Sequence, residues 1–257
     1  MSYKIDADEI IIGKNVKIED GVYIKADIVN IGDYSAIRKN TEINLFKSQR
    51  DISSGKRIIT IGDCTEIGYS TRIFNPNFTV LDYCVIYDHL LAYGIKEISI
   101  GHNCWFGENV ILNSEEKVEI GNNVALGTSS QIWTHGYWGE DIEGCNINTQ
   151  KKVTVFDDSW IMANCVLMPG SIIRPKSVLL NNSVLLGETK DGMITSIYYT
   201  NKTMPSREAY TSQTIEEKKR KMKNYIYNFL DHHNYEYTVE NEKINLIGGV
   251  DDINIIE

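Results

Sequence analysis

One histidine in this chain stands where it can do chemistry. His135 lies in the longest break of an otherwise regular repeat, and Gly136, Tyr137, Trp138, Glu140 and Asp141 follow it. A near-neutral imidazole can take a proton from a hydroxyl or an amine as that group attacks a thioester. A surface histidine that merely caps a loop fits the position equally well, and position alone does not separate the two. The aromatic pair Tyr137 and Trp138 can stack on a pyranose face or simply anchor the loop. Of the other histidines, His102 falls third in its repeat, an exposed turn position. His232 and His233 end a helical stretch, where imidazolium suits the dipole, and His89 sits in a degenerate repeat with no assigned role. A three-imidazole zinc set needs a His-x-x-x-x-His or similar spacing, which is not present, so no metal site is expected.

The element that must position His135 is a hexad. It opens at Ile31 (IGDYSA, IRKNTE) and returns at Ile61, Ile100, Ile120 and Ile161. An aliphatic residue comes first, a Gly or polar residue second, and a small or β-branched residue fifth. Two inward side chains in six are too sparse for a helix. Read as short strands joined by tight turns, the hexad buries its first and fifth positions and turns a wet corner between them. Three hexads make one rung of a parallel coil, with the five isoleucines above pointing inward. Ile12, Ile18 and Ile24 are expected to begin the first full rung, with Val16, Val22 and Ile28 as inward partners. About eight rungs at ~4.8 Å each would stand about 35–40 Å tall. Two stretches break the pattern, Phe46 to Arg57 and Trp133 to Lys152. Both read as loops thrown out from corners, where function concentrates.

Composition bounds the partners. The formal charge of -9 on 257 residues argues against nucleic acid, and no apolar run approaches the roughly 20 residues of a membrane span. The first twenty residues are acidic and β-patterned, unlike a signal peptide, so a cytoplasmic protein is expected. Five cysteines, an odd count without a CxxC, argue against a disulfide framework. Cys84, Cys104 and Cys165 fall at fifth hexad positions, where a small hydrophobe belongs.

After about Met204 the period changes. Residues 1–204 are read as the coil and 205–257 as a C-terminal α+β extension. Thr214 to Glu217 has capping-box spacing, and Ile215, Met222, Ile226, Phe229 and Leu230 share one helical face. Tyr235, Tyr237 and Val239, then Ile244 and Leu246, alternate as two short strands around Glu240-Asn241. The extension has too few apolar residues to fold alone, so packing on the coil or on a neighbouring subunit is expected.

IGDYSA, IGHNCW, IGNNVA and above all VFDDSWIMANCVLMPGSII resemble the left-handed β-helix acyltransferases of the hexapeptide-repeat superfamily, particularly sugar O-acetyltransferases, from about Ile10 to about Asn201. The resemblance implies an all-β fold, a left-handed parallel β-helix of triangular rungs, an exception to the usual right-handed crossover. Similar enzymes carry a general-base histidine in an extended loop a little over one rung before a Trp-Ile-x-Ala-Asn motif. Here that motif starts at Trp160, about 25 residues past His135. A backbone amide near Trp160 is expected to steady the oxyanion.

The resemblance also implies acetyl-CoA or a similar acyl-CoA in a cleft between two prisms of a homotrimer. Ala163 matches the small residue beside the pantetheine arm, and Asn181 stands where the penultimate rung carries Ala or Ser. Thr189-Lys190-Asp191 matches a closing Thr-Lys-Asp whose lysine reaches a CoA phosphate. Met162, the Leu186-Gly187-Glu188 insertion and the Thr200 to Met204 segment depart from the family pattern. The expected activity is acetyl transfer to the hydroxyl of a sugar or oligosaccharide acceptor, with Tyr137 and Trp138 against the sugar. N-acetylation of a nucleotide-linked amino sugar is the runner-up, and a non-catalytic trimeric scaffold the third reading.

Overall fold

The structure, a computed structural model, describes residues 2–45, 55–138, 147–197, 201–205, 214–232, 235–240 and 243–246. The chain divides into two units, 1–209 and 210–257. The first is a parallel β-helix of about nine turns, one more than the hexad count suggests. Its strands fall on three faces. The first face has nine strands, from Lys4–Asp6 to Val184–Leu185, and the second has eight, from Glu9–Ile12 to Ile172–Ile173. The third face runs from Lys17–Ile18 to Val178–Leu179 and ends in the antiparallel pair Met193–Ile197 and Asn201–Pro205.

Register follows the hexad. Ile61, Val80, Ile100, Ile120 and Val155 stack in successive turns. Ile31, Ile61, Ile100, Ile120 and Ile161 are all buried, as the repeat requires. The fifth positions explain their own chemistry. Ser35 Oγ donates to the Gly62 carbonyl at 2.6 Å and accepts from the Thr65 amide at 3.0 Å. Thr65 repeats the pattern with Leu81 and Cys84, and Cys84 with Gly101 and Cys104. A small hydroxyl or thiol thus satisfies backbone groups that the turn would otherwise bury without partners.

The corners are equally specific. At the corner joining second and third faces, Tyr34, Cys64, Tyr83, Asn103 and Asn123 take left-handed φ values of 51° to 59°. The preceding position forms a polar ladder in which the Asp33 amide donates to Asp63, the Asp63 amide to Asp82, and the His102 amide to Asn122. His102 therefore belongs to the turn, with Nδ1 3.2 Å from Asp82 Oδ2. His89 is a fourth-position corner residue with φ 62°. The hexad glycine is needed because the next rung comes so close: a Cβ on Gly62 would lie 2.5 Å from the Leu81 carbonyl carbon.

Stacked residues normally lie 19 or 20 apart in sequence, rising to 30 and 35 where the two expected loops are inserted. Both insertions leave the corner joining the first and second faces, between Glu42–Asn44 and Ile58–Ile61 and between Gln131–Ile132 and Val153–Val155. Their tips, 46–54 and 139–146, lie outside the described residues.

The first rung departs from expectation. Ile12 is exposed at the open end of the coil, and Ile28 is half-buried while Ala26 and Val29 point inward. The first–second corner is longer than a strict hexad allows, and one extra residue exchanges the faces of a strand.

In the second unit, α1 (Ile215–His232) begins with the Lys218 amide donating to the Thr214 carbonyl at 3.0 Å. The expected strands are Tyr237–Glu240 and Lys243–Leu246, paired antiparallel. Phe229 stacks on Tyr235 and Tyr227 on Tyr237. The expected apolar helix face is only partly covered: Leu230 is buried, but Ile215, Met222 and Phe229 are exposed. So short a unit has little apolar surface with which to cover that stripe. Among the described residues no helix is long and apolar enough to cross a membrane.

Candidate active site

His135 begins the strand His135–Trp138, which pairs antiparallel with Ile147–Gln150 and sets His135 opposite Gln150. The hairpin is rooted firmly. The Trp133 amide donates to the Leu167 carbonyl and the Lys151 amide to the Thr134 carbonyl, both at 2.9 Å, so entry and return are tied to the coil. Gln150 Nε2 also donates to the Glu115 carbonyl at 3.0 Å.

The imidazole is partly buried, with Nδ1 2.7 Å from Asn113 Oδ1. Asn113 ends the first-face strand Ile111–Asn113, one turn before the strand that launches the hairpin. Its Oδ1 also accepts from Thr134 Oγ1 at 3.0 Å and from the Thr134 amide at 3.4 Å. Thr134 Oγ1 in turn accepts from the Glu116 amide at 3.0 Å. The Trp133 ring lies edge-on to His135, centroids 6.0 Å apart, and edge-on to Tyr93 at 6.4 Å. Trp133 Nε1 donates to Gln131 Oε1 at 2.8 Å, which fixes the indole. Burial raises the Tyr93 phenol above its ordinary pKa; the Asn113 amide works against that rise and Glu115 adds to it. The Asn113 amide nitrogen is buried and near this phenol, yet it makes no hydrogen bond of good geometry.

Beside the hairpin root, on the second-face side, Glu116, Lys117, Gln150, Lys151 and Lys152 line an open cavity of about 430 Å³. Lys117 pairs with Glu97 and Lys152 with Glu119, each at 3.1 Å. The Lys151 stem lies over Gly170, where a Cβ would come within 3.1 Å of it.

The expected site residues are not all brought together. Trp160 is exposed on the third face, in register with Ala125 and Val178, whereas His135 hangs from the corner joining the other two faces. One chain does not place the indole beside the imidazole. Nor does the Trp160 amide wait for an oxyanion, because it donates to the Ser177 carbonyl at 2.9 Å in the strand ladder. Ala163 and Asn181 do share a corner, the one joining the third and first faces, in successive turns; the Asn182 amide donates to the Ala163 carbonyl at 3.0 Å. Lys190 is exposed near a different corner, where Ser177 Oγ donates to its carbonyl.

Thr189, expected with Lys190 at the donor site, is buried. Its hydroxyl accepts from the Arg174 amide at 2.8 Å and donates to Ser177 Oγ at 3.1 Å, the work of a fifth-position residue. The side chains of Tyr137 and Trp138 lie outside the described residues. No group of three or more His, Cys, Asp or Glu among the described residues could hold a metal.

Sequence reasoning missed Asn113, Tyr93, Trp133 and Thr134. The available signal was periodic: Asn113 stands at a strand end where the two preceding turns carry Phe74 and Tyr93. No family model matches the sequence. Among solved structures the chain is similar to LpxA, a UDP-N-acetylglucosamine acyltransferase from Bacteroides fragilis, at 15% identity over 82% of this chain and 79% of that one, with a TM-score of 0.57. It is similar to the polySia specific acetyltransferase NeuO at 14% identity over 83% and 90% of the two chains, with a TM-score of 0.51. Identities this low establish a shared fold alone, the parallel β-helix described above.

Proposed function

We propose that this protein is an acetyl-CoA-dependent acetyltransferase that moves an acetyl group to a sugar hydroxyl, with His135 as general base. The observation that carries the reading is the His135 imidazole, anchored through Nδ1 on Asn113 at the one corner from which both long insertions leave an otherwise uninterrupted coil. The two similar folds named above belong to acyltransferases that act on sugars, which supports the same chemistry here. As the acceptor oxygen attacks the thioester carbonyl, its proton passes to the imidazole. The tetrahedral intermediate then expels the CoA thiolate, which takes up a proton. Supplying the acetyl group is the donor's part; orienting the base and walling off the corner is the protein's.

The donor arm is assigned to the corner that carries Ala163 and Asn181. Small residues stack there, since a Cβ on Gly127 would lie 2.5 Å from the Ala163 amide nitrogen. Ala163→Trp is expected to weaken acetyl-CoA binding at least tenfold with an unchanged unfolding midpoint, as read by calorimetry. Unchanged affinity would remove Ala163 from the donor path.

A homotrimer accounts for the separation of His135 from Trp160. Exposed aromatic side chains gather on or beside the third face, at Tyr87, Trp105 and Trp160. The Lys117 and Lys152 ion pairs lie beside the second face, whose first strand also exposes Ile10 and Ile11. A closed ring that buries the aromatic third face sets the Trp160 face of one copy against the His135 corner of the next. Sedimentation should give three times the 29.3 kDa chain mass; a fully active monomer would exclude the ring.

The function is tested by thiol release from acetyl-CoA against matched hydroxyl and amino sugars. Release with the hydroxyl series supports the reading. Release with amines alone moves the assignment to N-acetylation, and no release with any acceptor favours a scaffold.

A further inference from the structure

The hydrogen bonds around Asn113 decide which nitrogen of His135 holds the proton, and this deepens the general-base reading on which it rests. The Thr134 amide can only donate, so the Asn113 atom it faces at 3.4 Å must be the carbonyl oxygen, and the Thr134 hydroxyl lies 3.0 Å from the same atom. Reversing the amide would turn its NH₂ onto a backbone N–H inside a buried site. The orientation of Asn113 is therefore fixed by its neighbours, independently of the histidine. A neutral imidazole whose Nδ1 lies 2.7 Å from a carbonyl oxygen must carry its proton on Nδ1 and its lone pair on Nε2.

We infer that Asn113 is a positioning residue: it holds His135 in the Nδ1–H tautomer, with the basic lone pair on Nε2, and does so without a charge. An aspartate in the same place would orient the ring equally well, but it would also stabilise imidazolium and keep the base protonated to higher pH. A side-chain amide orients the ring and places no charge beside it. Trp133 completes the clamp, because the ring edge against His135 opposes rotation of the imidazole about its side-chain bonds. Free imidazole favours the other tautomer, so the clamp has something to overcome.

Two variants test the inference, Asn113→Leu and Asn113→Asp, with two readouts. Nitrogen NMR of histidine-labelled protein at alkaline pH should show His135 of the wild type protonated at Nδ1, and Asn113→Leu should bring in the Nε2–H form. In the transfer assay Asn113→Leu should lower kcat by about 10²-fold with donor KM within twofold, since a wrong tautomer removes the base and not the binding. Asn113→Asp should keep the wild-type tautomer and recover activity at high pH, with the acid limb of kcat/KM moved up by about one pH unit.

An Nε2–H signal in the wild type would overturn the inference, as would an unmoved acid limb in Asn113→Asp. If Asn113→Leu does not fold, the wild-type tautomer and the Asn113→Asp profile still decide. Loss of activity in a His135 variant together with wild-type behaviour in both Asn113 variants would sink the positioning role and leave the general base standing. A fully active His135 variant would sink the general base, and the NMR signal would still report on the Asn113 contact.

Discussion

His135→Ala is expected to lower kcat by about 10²–10⁴-fold, equivalent to about 3–5 kcal/mol of barrier, while acetyl-CoA affinity stays within twofold. The loss belongs in kcat because the imidazole meets the acceptor proton only as the oxygen attacks; it does not touch the donor corner at Ala163 and Asn181. A residue that merely capped the hairpin would show a different pattern. Removing it would loosen the Asn113 and Thr134 cluster and change stability or KM, with little effect on the chemical step. The hairpin has its own anchors at Trp133, Lys151 and Gln150, so the variant should keep the wild-type fold. Transfer within twofold of wild type would leave the coil without an assigned catalyst.

Phe106→Ala is expected to cost about 3–5 kcal/mol, among the largest effects of any single core truncation. Phe106 is fully buried on the third face, stacked in register between Ile86 and Leu126. The size of the cost comes from the architecture. Rungs are held apart by continuous backbone ladders, so neighbours cannot close in on the cavity without breaking hydrogen bonds above and below. A globular core can relax around a lost ring more freely than a stacked one. Denaturant unfolding reads the effect directly, and a shift below about 1 kcal/mol would mean that the coil relaxes where this packing says it cannot.

How much of this was legible depended on whether the signal was periodic. The hexads revealed the inward isoleucines, the fifth-position serines, threonines and cysteines and both inserted loops, because one turn per three hexads leaves little choice of register. The open end was harder. Ile12 has the right spacing but no rung above it, and Ile28 was displaced by a long corner that the repeat alone does not show. The site divided along the same line. His135 was conspicuous as the histidine in a break. Asn113 was not, because an asparagine second in its hexad reads as a wet corner until its hydrogen bonds place it under Thr134 and His135.

Thr189 shows the opposite case, since its likeness to a ligand-binding motif drew attention away from the fifth-position hydrogen bonds it makes. Trp160 was expected at the oxyanion, about 25 residues past the histidine, yet within one chain the three-sided coil sends the two to different parts of its surface. Sequence spacing gives order along the chain, and only the winding of the coil converts it into position around the axis.

The most direct test of the general-base claim is the pH dependence of kcat/KM for wild type and His135→Gln, with the acceptor that the matched sugar panel selects. A neutral imidazole is required in the free enzyme, so the wild-type value should fall about tenfold per pH unit once acidification protonates it. The His135→Gln variant should give a low line without that limb. An acid limb of the same position and slope in both proteins would show that some other group takes the proton, and would contradict the account.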